Sequence, residues 1–191
     1  MLNTLFHGTN ELSALNICES GIDLGKSNKE LDFGPGFYLT DDVDAARRRA
    51  YQKTRIYNKI YKCNDKPAIV SVEIDDDELK KLSVREFPYC NDEWLYFVIA
   101  NRLNEEYIVS NQCLEHNLDH KYDVVIGSIA DSDVAQIANY VSNGDIDIKN
   151  VSVYDVLTDE GRTLGNQMSF HTIRSLVVIK RCSYDIVERR N

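Results

Sequence analysis

The sequence is poor in the features that mark several common protein classes. Its 191 residues include three prolines and nine glycines, and no Pro-rich or Gly-rich tract divides the chain. It has no apolar run long enough to span a bilayer, and its N-terminus lacks the charged and apolar regions of a signal peptide. These absences predict a single domain over residues 1–191 in a soluble cytoplasmic protein that has no membrane partner.

Cysteine pairs and net positive charge are also missing. The five cysteines include no C-x-x-C pair, and His116 and His120 have no cysteine pair nearby, so we expect reduced thiols and no metal site. Acidic residues outnumber basic ones by 31 to 22, which gives a net charge of -9 and argues against a protein that coats nucleic acid. The cysteines are Cys18, Cys63, Cys90, Cys113 and Cys182.

Hydrophobic periodicity predicts short strands and helices in an irregular order, which is typical of an α+β fold. The predicted strands cover residues 5–9, 37–39, 68–74, 82–87, 122–127, 167–172, 176–179 and 182–187. The predicted helices cover residues 11–19, 41–61, 92–103, 131–141 and 148–157. A turn is expected at 75–77, and an irregular connection or a short helix at 104–121. In the helix at 92–103, Glu93 and Arg102 are the only candidates for a site.

The segment 32–40 reads Asp-Phe-Gly-Pro-Gly-Phe-Tyr-Leu-Thr. Its two glycines permit close approach of a ligand or another backbone, and the proline between them stiffens the corner. Because side chains alternate along a strand, Phe37 and Leu39 can face a core while Tyr38 faces a cleft. Taken alone, the segment favours an ordinary glycine turn before a half-buried strand. A functional interpretation needs a partner elsewhere in the chain.

The helix predicted at 41–61 carries a basic face in an otherwise acidic protein. Its apolar face is predicted to consist of Val43, Ala46, Ala50, Tyr57 and Ile60. The basic residues are Arg47, Arg48, Arg49, Lys53, Arg55, Lys59 and Lys62, with tyrosines between them. A solvated helix face explains this pattern. A nucleic-acid or phosphate-rich partner is the alternative, because such partners need basic and aromatic side chains together.

Polar residues stand at three strand ends that are far apart in the sequence: His7, Tyr38 and Gln167. His-Gly-Thr at 7–9 and Gly-Phe-Tyr-Leu at 36–39 resemble the first two motifs of ADP-ribosyltransferases of the diphtheria-toxin and poly(ADP-ribose)-polymerase type, which carry a His-Tyr-Glu triad. The chain is most similar to a bacterial family of that type. That family also shows the Glu-Trp-Leu-x-Phe-Val helix found at 93–98, the Tyr-Asp-Val-Val-x-Gly strand at 122–127 and the Gln-x-Ser-Phe-His-Thr segment at 167–172.

The resemblance implies an ADP-ribosyltransferase-like split β-sheet core with flanking helices, and NAD as a substrate without a metal. It implies that His7 bonds the adenosine-side ribose, that the Gly8 backbone holds the nicotinamide amide, and that Tyr38 packs on the nicotinamide ring with help from Tyr51. The residues implied in catalysis are His7, Tyr38 and Gln167. Those implied in NAD binding are His7, Gly8, Thr9, Phe33, Gly36, Phe37, Tyr38, Tyr51 and Ser169.

Gln167 stands where the His-Tyr-Glu triad of ADP-ribosyltransferases has glutamate. Its amide oxygen can accept a hydrogen bond from the ribose 2′-hydroxyl, but the amide carries no charge and cannot take a proton. Chain elongation is therefore not expected. Either the acceptor is itself a good nucleophile, or Asp131, Asp133 or His171 supplies a base, or the protein binds NAD without turning it over.

The resemblance thus implies mono-ADP-ribosyl transfer from NAD to a macromolecule, with NAD hydrolysis as a side reaction, and bacterial relatives of this fold suggest a toxin or effector. A non-catalytic module for NAD or ADP-ribose is one alternative. An RNA 2′-phosphotransferase is another; that class shares the fold and a His-Gly start, but its pocket uses several arginines and histidines, which fits poorly with arginines clustered at 47–49 on a helix. The acceptor, protein or nucleic acid, is not specified by the sequence.

Overall fold

The computed structural model describes residues 2–28, 30–103, 114–157 and 164–188. Within these ranges the strands are β1 Leu2–Asn10, β2 Phe37–Thr40, β3 Pro67–Asp75, β4 Val84–Glu86, β5 Val124–Ser128, β6 Asn166–Phe170 and β7 Ile179–Ile186. The α-helices there are α1 Glu11–Ser20, α2 Val43–Tyr61, α3 Asp76–Leu79, α4 Asp92–Arg102, α5 Ser132–Ser142 and α6 Val153–Val156. No helix in these ranges has both the length and the apolar character that a membrane crossing needs.

The described strands form one mixed sheet in the order β4-β5-β6-β2-β1-β3-β7. Strands β4 and β5 are parallel, and the other neighbours pair antiparallel. Helices and strands do not alternate regularly along the chain, so the predicted α+β class is confirmed at this level.

The sheet has a short junction between β1 and β2. Their register consists of one pair, Phe6 opposite Thr40. In contrast, β1 pairs with β3 along its whole length, from Leu2 opposite Asp75 to Asn10 opposite Pro67. The two parts of the sheet, β4-β5-β6-β2 and β1-β3-β7, therefore share little backbone pairing, and side chains at the junction can line an opening.

Two apolar clusters hold these parts of the sheet. One buries Phe33 and Trp94 completely beside α4 and α5, and the other buries Val70 and Val72 of β3 beneath α1. Burial of one such aliphatic or phenylalanine side chain stabilises the fold by roughly 1.5–3 kcal/mol. Phe33 thus anchors in the core the start of the segment 32–36 that precedes β2, which we call the glycine turn.

Helix α2 packs on β1 through small residues. Ala46 and Ala50 are buried as predicted, whereas Val43 and Ile60, which were predicted on the same face, are exposed. A Cβ at Gly8 would collide with the carbonyl oxygen of Ala46 and lie 2.7 Å from the backbone nitrogen of Ala50. The helix and strand backbones are in contact there, which leaves no room for large side chains between them.

Three predicted elements differ in the structure because side chains cap short helices. Asp75 accepts hydrogen bonds from two backbone N–H groups and starts α3, where a turn was predicted. Thr172 caps a 3₁₀ helix, Ile173–Val178, over most of a predicted strand. The helix predicted at 148–157 is two pieces, Ile148–Asn150 and α6, because Ser152 caps the second. Of the connection predicted at 104–121, residues 104–113 lie outside the described residues.

Cys18 in α1 and Cys182 in β7 form a disulfide, with their Cα atoms 5.3 Å apart. The expectation of reduced thiols is therefore wrong for this pair, which no spacing motif marks. Cys63 and Cys90 are free, and Cys113 lies outside the described residues. The bond joins the first helix to the last strand across 164 residues, and a crosslink of this span strongly restricts the unfolded chain.

We expect the double variant Cys18→Ser/Cys182→Ser to unfold at lower denaturant concentration than the wild type. Loss of a native disulfide typically lowers the free energy of unfolding by about 2–5 kcal/mol. Urea unfolding with and without reductant, together with mass analysis of alkylated thiols, measures the effect. Cys63→Ser is the matched control, and it should keep both the wild-type midpoint and the sensitivity to reductant. Equal midpoints for the oxidised and reduced wild type would contradict the expectation.

Candidate functional site

A cleft of about 840 Å³ opens where β1, β2 and β6 meet α2 and the glycine turn. Its volume lies within the range of roughly 300–1,000 Å³ that is usual for small-molecule sites. His7 from β1, Tyr38 from β2 and Gln167 from β6 all line this cleft. Three strand residues that are distant in sequence therefore meet at one site, although His7 lies within β1 and not at the strand end where it was predicted.

Strand pairing brings these residues together. In the β2–β6 ladder, Tyr38 lies opposite Ser169 and Thr40 lies opposite Gln167. Thr40 also faces Phe6 in the short β1–β2 junction. The consecutive order β6-β2-β1 thus places these residues of three neighbouring strands beside the same opening of the sheet.

His7 is a neutral hydrogen-bond acceptor. Its Nδ1 lies 2.7 Å from the backbone carbonyl oxygen of Tyr38, and its ring stacks on Phe37 with centroids 4.7 Å apart. Because a carbonyl only accepts, Nδ1 carries the proton and Nε2 presents a lone pair. Burial, and then the positive charges of Lys53 and Arg49, lower the pKa of His7 to about 3.

The Tyr38 hydroxyl closes the glycine turn. It donates to the carbonyl of Gly34 at 2.6 Å and accepts from the Phe33 N–H at 3.0 Å. Burial, and then the negative charge of Asp32, raise the pKa of Tyr38 well above its ordinary value, so the hydroxyl stays protonated. The sequence pointed to the ring of this tyrosine but not to this role of its hydroxyl.

Gln167 is held by a buried carboxylate that the sequence analysis did not single out. Its Nε2 donates to Asp32 Oδ2 at 2.6 Å and to the backbone carbonyl of Ser128 at 3.3 Å. Asp32 also accepts from Arg102 Nε at 3.1 Å and from the Ala130 N–H at 3.1 Å, and it forms an ion pair with the Arg102 guanidinium. Asp32, Arg102 and Gln167 line the cleft together.

The position of Asp32 explains why it was missed. An aspartate before a glycine-rich corner is typical of turns, where its side chain bonds the local backbone. Here its partners lie in distant segments, on α4, after β5 and on β6. The one signal in the sequence that could have pointed to Asp32 was Arg102 at the end of α4, because a buried arginine needs a carboxylate partner. Glu93, the other candidate in α4, pairs with Arg85 and does not line the cleft.

Part of the basic face of α2 borders the cleft. Arg48 pairs with Asp42 at 3.5 Å, and Arg49 donates to Gln52 Oε1 at 2.9 Å. Lys53 has no carboxylate within ion-pair distance in the described part of the chain, and burial, followed by the charge of Arg49, lowers its pKa. The cleft therefore has a positive rim in an acidic protein, which suits a ligand with phosphate groups.

Two residues predicted to bind NAD lie beneath the cleft. Phe33 and Ser169 have no exposed surface. Phe33 stacks near Phe87 in the core, with centroids 6.3 Å apart, and the Ser169 hydroxyl lies 2.8 Å from Nε2 of His171. Both residues support the wall of the cleft but cannot touch a ligand in this arrangement.

The structure also does not bring Tyr51 to the cleft. Its hydroxyl donates to the backbone carbonyl of Glu188 at 3.0 Å, which directs the side chain toward the end of β7. The predicted stacking of this tyrosine on a ligand has no counterpart in this arrangement. The other predicted binding residues, besides His7 and Tyr38, do line the cleft: Gly8, Thr9, Gly36 and Phe37.

None of the three predicted bases lines the cleft. Asp131 accepts from the backbone N–H groups at the start of α5 and acts as its cap, and Asp133 is half-buried on the first turn of that helix. His171 uses Nδ1 to bond the Pro35 carbonyl at 2.7 Å and Nε2 to contact Ser169. Burial dominates in lowering the pKa of His171 to about 4. This histidine therefore fixes the glycine turn.

A model of the family described as "Protein of unknown function (DUF3990)" matches residues 3–180. The chain belongs to the DUF3990 family. The match includes the glycine turn and all three strands that position the cleft residues. No curated protein and no solved structure matches the chain.

Replacing Tyr38 with phenylalanine keeps the ring but removes both hydrogen bonds of the hydroxyl. The Phe33 N–H and the Gly34 carbonyl then lose their partner, so we expect the free energy of unfolding to fall by about 1–3 kcal/mol. Urea unfolding measures this change. Tyr89→Phe is the control, because Tyr89 is 75% exposed and its replacement should leave the midpoint unchanged. An unchanged midpoint for Tyr38→Phe would contradict the assigned role of the hydroxyl.

Two neutral histidines, His7 on the cleft wall and the buried His171, predict loss of stability in acid. The pKa values of His7 and His171 are lowered to about 3 and about 4, against 6.5 without the fold. Between these limits the unfolded chain binds more protons than the folded one, so the free energy of unfolding decreases as the pH falls below about 6.5. We expect a lower urea midpoint at about pH 5 than at about pH 7.5.

A single substitution separates this effect from the titration of carboxylates. In His171→Asn, the amide nitrogen can still donate to the Pro35 carbonyl, but the side chain no longer titrates. The stability difference between the two pH values should therefore shrink. His116→Asn, which removes a half-buried histidine outside the glycine turn, serves as the control and should keep the wild-type difference. If His171→Asn kept the wild-type difference in stability between the two pH values, His171 would not be a cause of the loss of stability in acid.

Proposed function

We propose that this protein is an NAD-dependent mono-ADP-ribosyltransferase that modifies a macromolecular acceptor. The observation that carries the proposal is the meeting of His7, Tyr38 and Gln167 in one cleft of about 840 Å³. An ADP-ribosyltransferase-like core is part of the proposal. The short β1–β2 junction supports it, because it leaves the sheet as two parts with the cleft between them.

The chemistry of the cleft walls suits NAD. The lone pair on His7 Nε2 can accept a hydrogen bond from a ribose hydroxyl. Arg49 and Lys53, close enough to His7 to lower its pKa, offer positive charge to the diphosphate. The face of Tyr38 suits the flat cationic nicotinamide ring, since aromatic faces attract cations.

The reaction needs little from the protein beyond position and charge. When the bond between nicotinamide and ribose breaks, its electron pair neutralises the nicotinamide ring, and the ribose carbon acquires oxocarbenium character, as in glycoside hydrolysis. Gln167 Oε1 would accept from the 2′-hydroxyl and place a partial negative charge near the developing cation. The acceptor nucleophile then forms the new bond to the ribose carbon and gives its proton to water, because the Gln167 amide cannot take it.

A non-catalytic module that binds NAD or ADP-ribose is the second candidate. One observation favours it: Gln167 is neutral, and Asp131, Asp133 and His171 do not line the cleft. An RNA 2′-phosphotransferase is supported less, because His7 is the only one of the four histidines on the cleft wall, although Arg48 and Arg49 border it. The positive rim also keeps a nucleic acid beside a protein as a possible acceptor.

Labelled NAD incubated with the protein and a cell lysate tests the proposal. We expect nicotinamide release and a labelled macromolecule, which nuclease or protease treatment then identifies as nucleic acid or protein. His7→Ala and Tyr38→Ala should each lower the release rate by about 100-fold or more, the size of effect seen when one stabilising group is removed. Tyr89→Ala is the exposed control and should keep the wild-type rate.

The outcome separates the candidates. Calorimetric binding of NAD without release of nicotinamide would select the binding module. Wild-type rates in both His7→Ala and Tyr38→Ala would reject this cleft as the site. Thermal unfolding of each variant shows whether a lost rate reflects the site or the fold.

A further inference from the structure

The cluster of Asp32, Arg102 and Gln167 contains a charge to which the resemblance assigns no role. Asp32 is 9% exposed in its side chain and Arg102 is 19% exposed, so both charges are largely removed from water. Such a buried pair is costly to desolvate and tolerated when every polar atom has a partner. Here the partners include the one residue of the site whose identity departs from the triad, Gln167.

The described groups that bond the Asp32 side chain are all donors. Oδ1 accepts from two nitrogens of Arg102, and Oδ2 accepts from Gln167 Nε2 at 2.6 Å and from the Ala130 N–H at 3.1 Å. Four donors around two oxygens match a carboxylate, which only accepts. A carboxylate in turn can face only the nitrogen of the Gln167 amide.

The orientation of the amide has a chemical consequence. Its nitrogen also donates to the Ser128 carbonyl at 3.3 Å. Within the described residues, both hydrogen bonds that the amide nitrogen donates therefore go to protein acceptors. The amide oxygen is left as the atom that can accept from a ligand in the cleft. If the amide turned over, its nitrogen would place a partial positive charge next to the developing oxocarbenium ion.

We infer that Asp32, fixed by Arg102, is a positioning residue that presents the amide oxygen of Gln167 to the 2′-hydroxyl of the nicotinamide ribose. This inference rests on the proposed function. The Asp32 carboxylate fixes which end of the Gln167 amide faces the cleft. Without it, either the amide nitrogen or the amide oxygen could face a ligand. The charge itself is paired with the Arg102 guanidinium, so the group that faces the ligand is a neutral amide oxygen, where the glutamate of the triad would present its charge directly.

The test compares NAD with an analogue that lacks the 2′-hydroxyl on its nicotinamide ribose, using calorimetry on the full chain. The wild type should bind NAD about fivefold more tightly than the analogue, the effect of one neutral hydrogen bond. Asp32→Asn keeps the shape of the side chain but can face either end of the Gln167 amide. It should lose this preference, and any nicotinamide release should show a lower kcat with little change in KM.

A matched control separates positioning from general loss of stability. Asp123 is also a buried aspartate, 8% exposed, and it accepts from the Ser83 N–H at 3.0 Å and the Thr172 hydroxyl at 2.6 Å, away from Gln167. Asp123→Asn should keep the wild-type preference for NAD. If Asp32→Asn does not fold, Arg102→Lys provides the test, because it keeps the charge but loses the two-nitrogen contact and should weaken the preference.

A double substitution supplies a second readout. Gln167→Glu alone would place two carboxylates in contact, so binding of NAD should weaken. In Asp32→Asn/Gln167→Glu the amide and the carboxylate change places, and the amide nitrogen introduced at position 32 can donate to the carboxylate introduced at position 167. The double variant should therefore bind NAD better than Gln167→Glu.

The possible results are distinct. Equal preference for NAD in the wild type and in Asp32→Asn, or in Arg102→Lys if that variant is used, would overturn the role of Asp32 and leave the proposed function intact. A lost preference in Asp123→Asn as well would assign the effect to stability, and it would overturn positioning. Failure of the wild type to bind NAD would overturn the proposed function, and the inference with it.

Discussion

The need to satisfy one buried carboxylate organises the cleft. Asp32 precedes the glycine turn, and its partners come from α4, from the segment after β5 and from β6. A charge removed from water needs hydrogen-bond partners within the protein. Removal of one partner leaves a buried polar group uncompensated, which destabilises the fold. The glycine turn, α4, the segment after β5 and β6 are therefore held together, because no one of them supplies all the hydrogen-bond donors that the Asp32 carboxylate needs.

The glycine turn is fixed from its other side by neutral groups. The Tyr38 hydroxyl bonds the backbone at Phe33 and Gly34, and the His171 ring bonds the carbonyl of Pro35. Both contacts depend on groups that stay uncharged, because burial raises the pKa of the tyrosine and lowers that of the histidine. The turn thus meets a charged contact at its start and neutral contacts along its length.

Local patterns in the sequence predicted the elements that build the cleft but not the contacts between them. His7, Tyr38 and Gln167 were found because each was predicted at a strand end, where an apolar pattern meets polar residues. The bond between Asp32 and Gln167 spans 135 positions and left no periodic signal, and the Cys18–Cys182 bond likewise follows no motif. Val43 and Ile60 were assigned to one face with Ala46 and Ala50 but are exposed. The buried part of α2 includes the contact of its backbone with Gly8, a distance that the periodicity of the sequence does not encode.

The negative charge and the acceptor oxygen of the cleft belong to two different side chains, Asp32 and Gln167, and this affects the chemistry that the site can perform. Within the proposed function, a glutamate in place of Gln167 would combine a negative charge, an acceptor oxygen and a possible proton acceptor in one side chain. In this chain the acceptor oxygen belongs to Gln167, and the charge belongs to Asp32, which is saturated by donors. The carboxylate can therefore orient the amide, but its charge is already paired with Arg102 and its two oxygens already accept four hydrogen bonds. Within the proposed function, such a site favours cleavage of the nicotinamide bond over activation of a weak nucleophile, so its acceptor must bring its own reactivity.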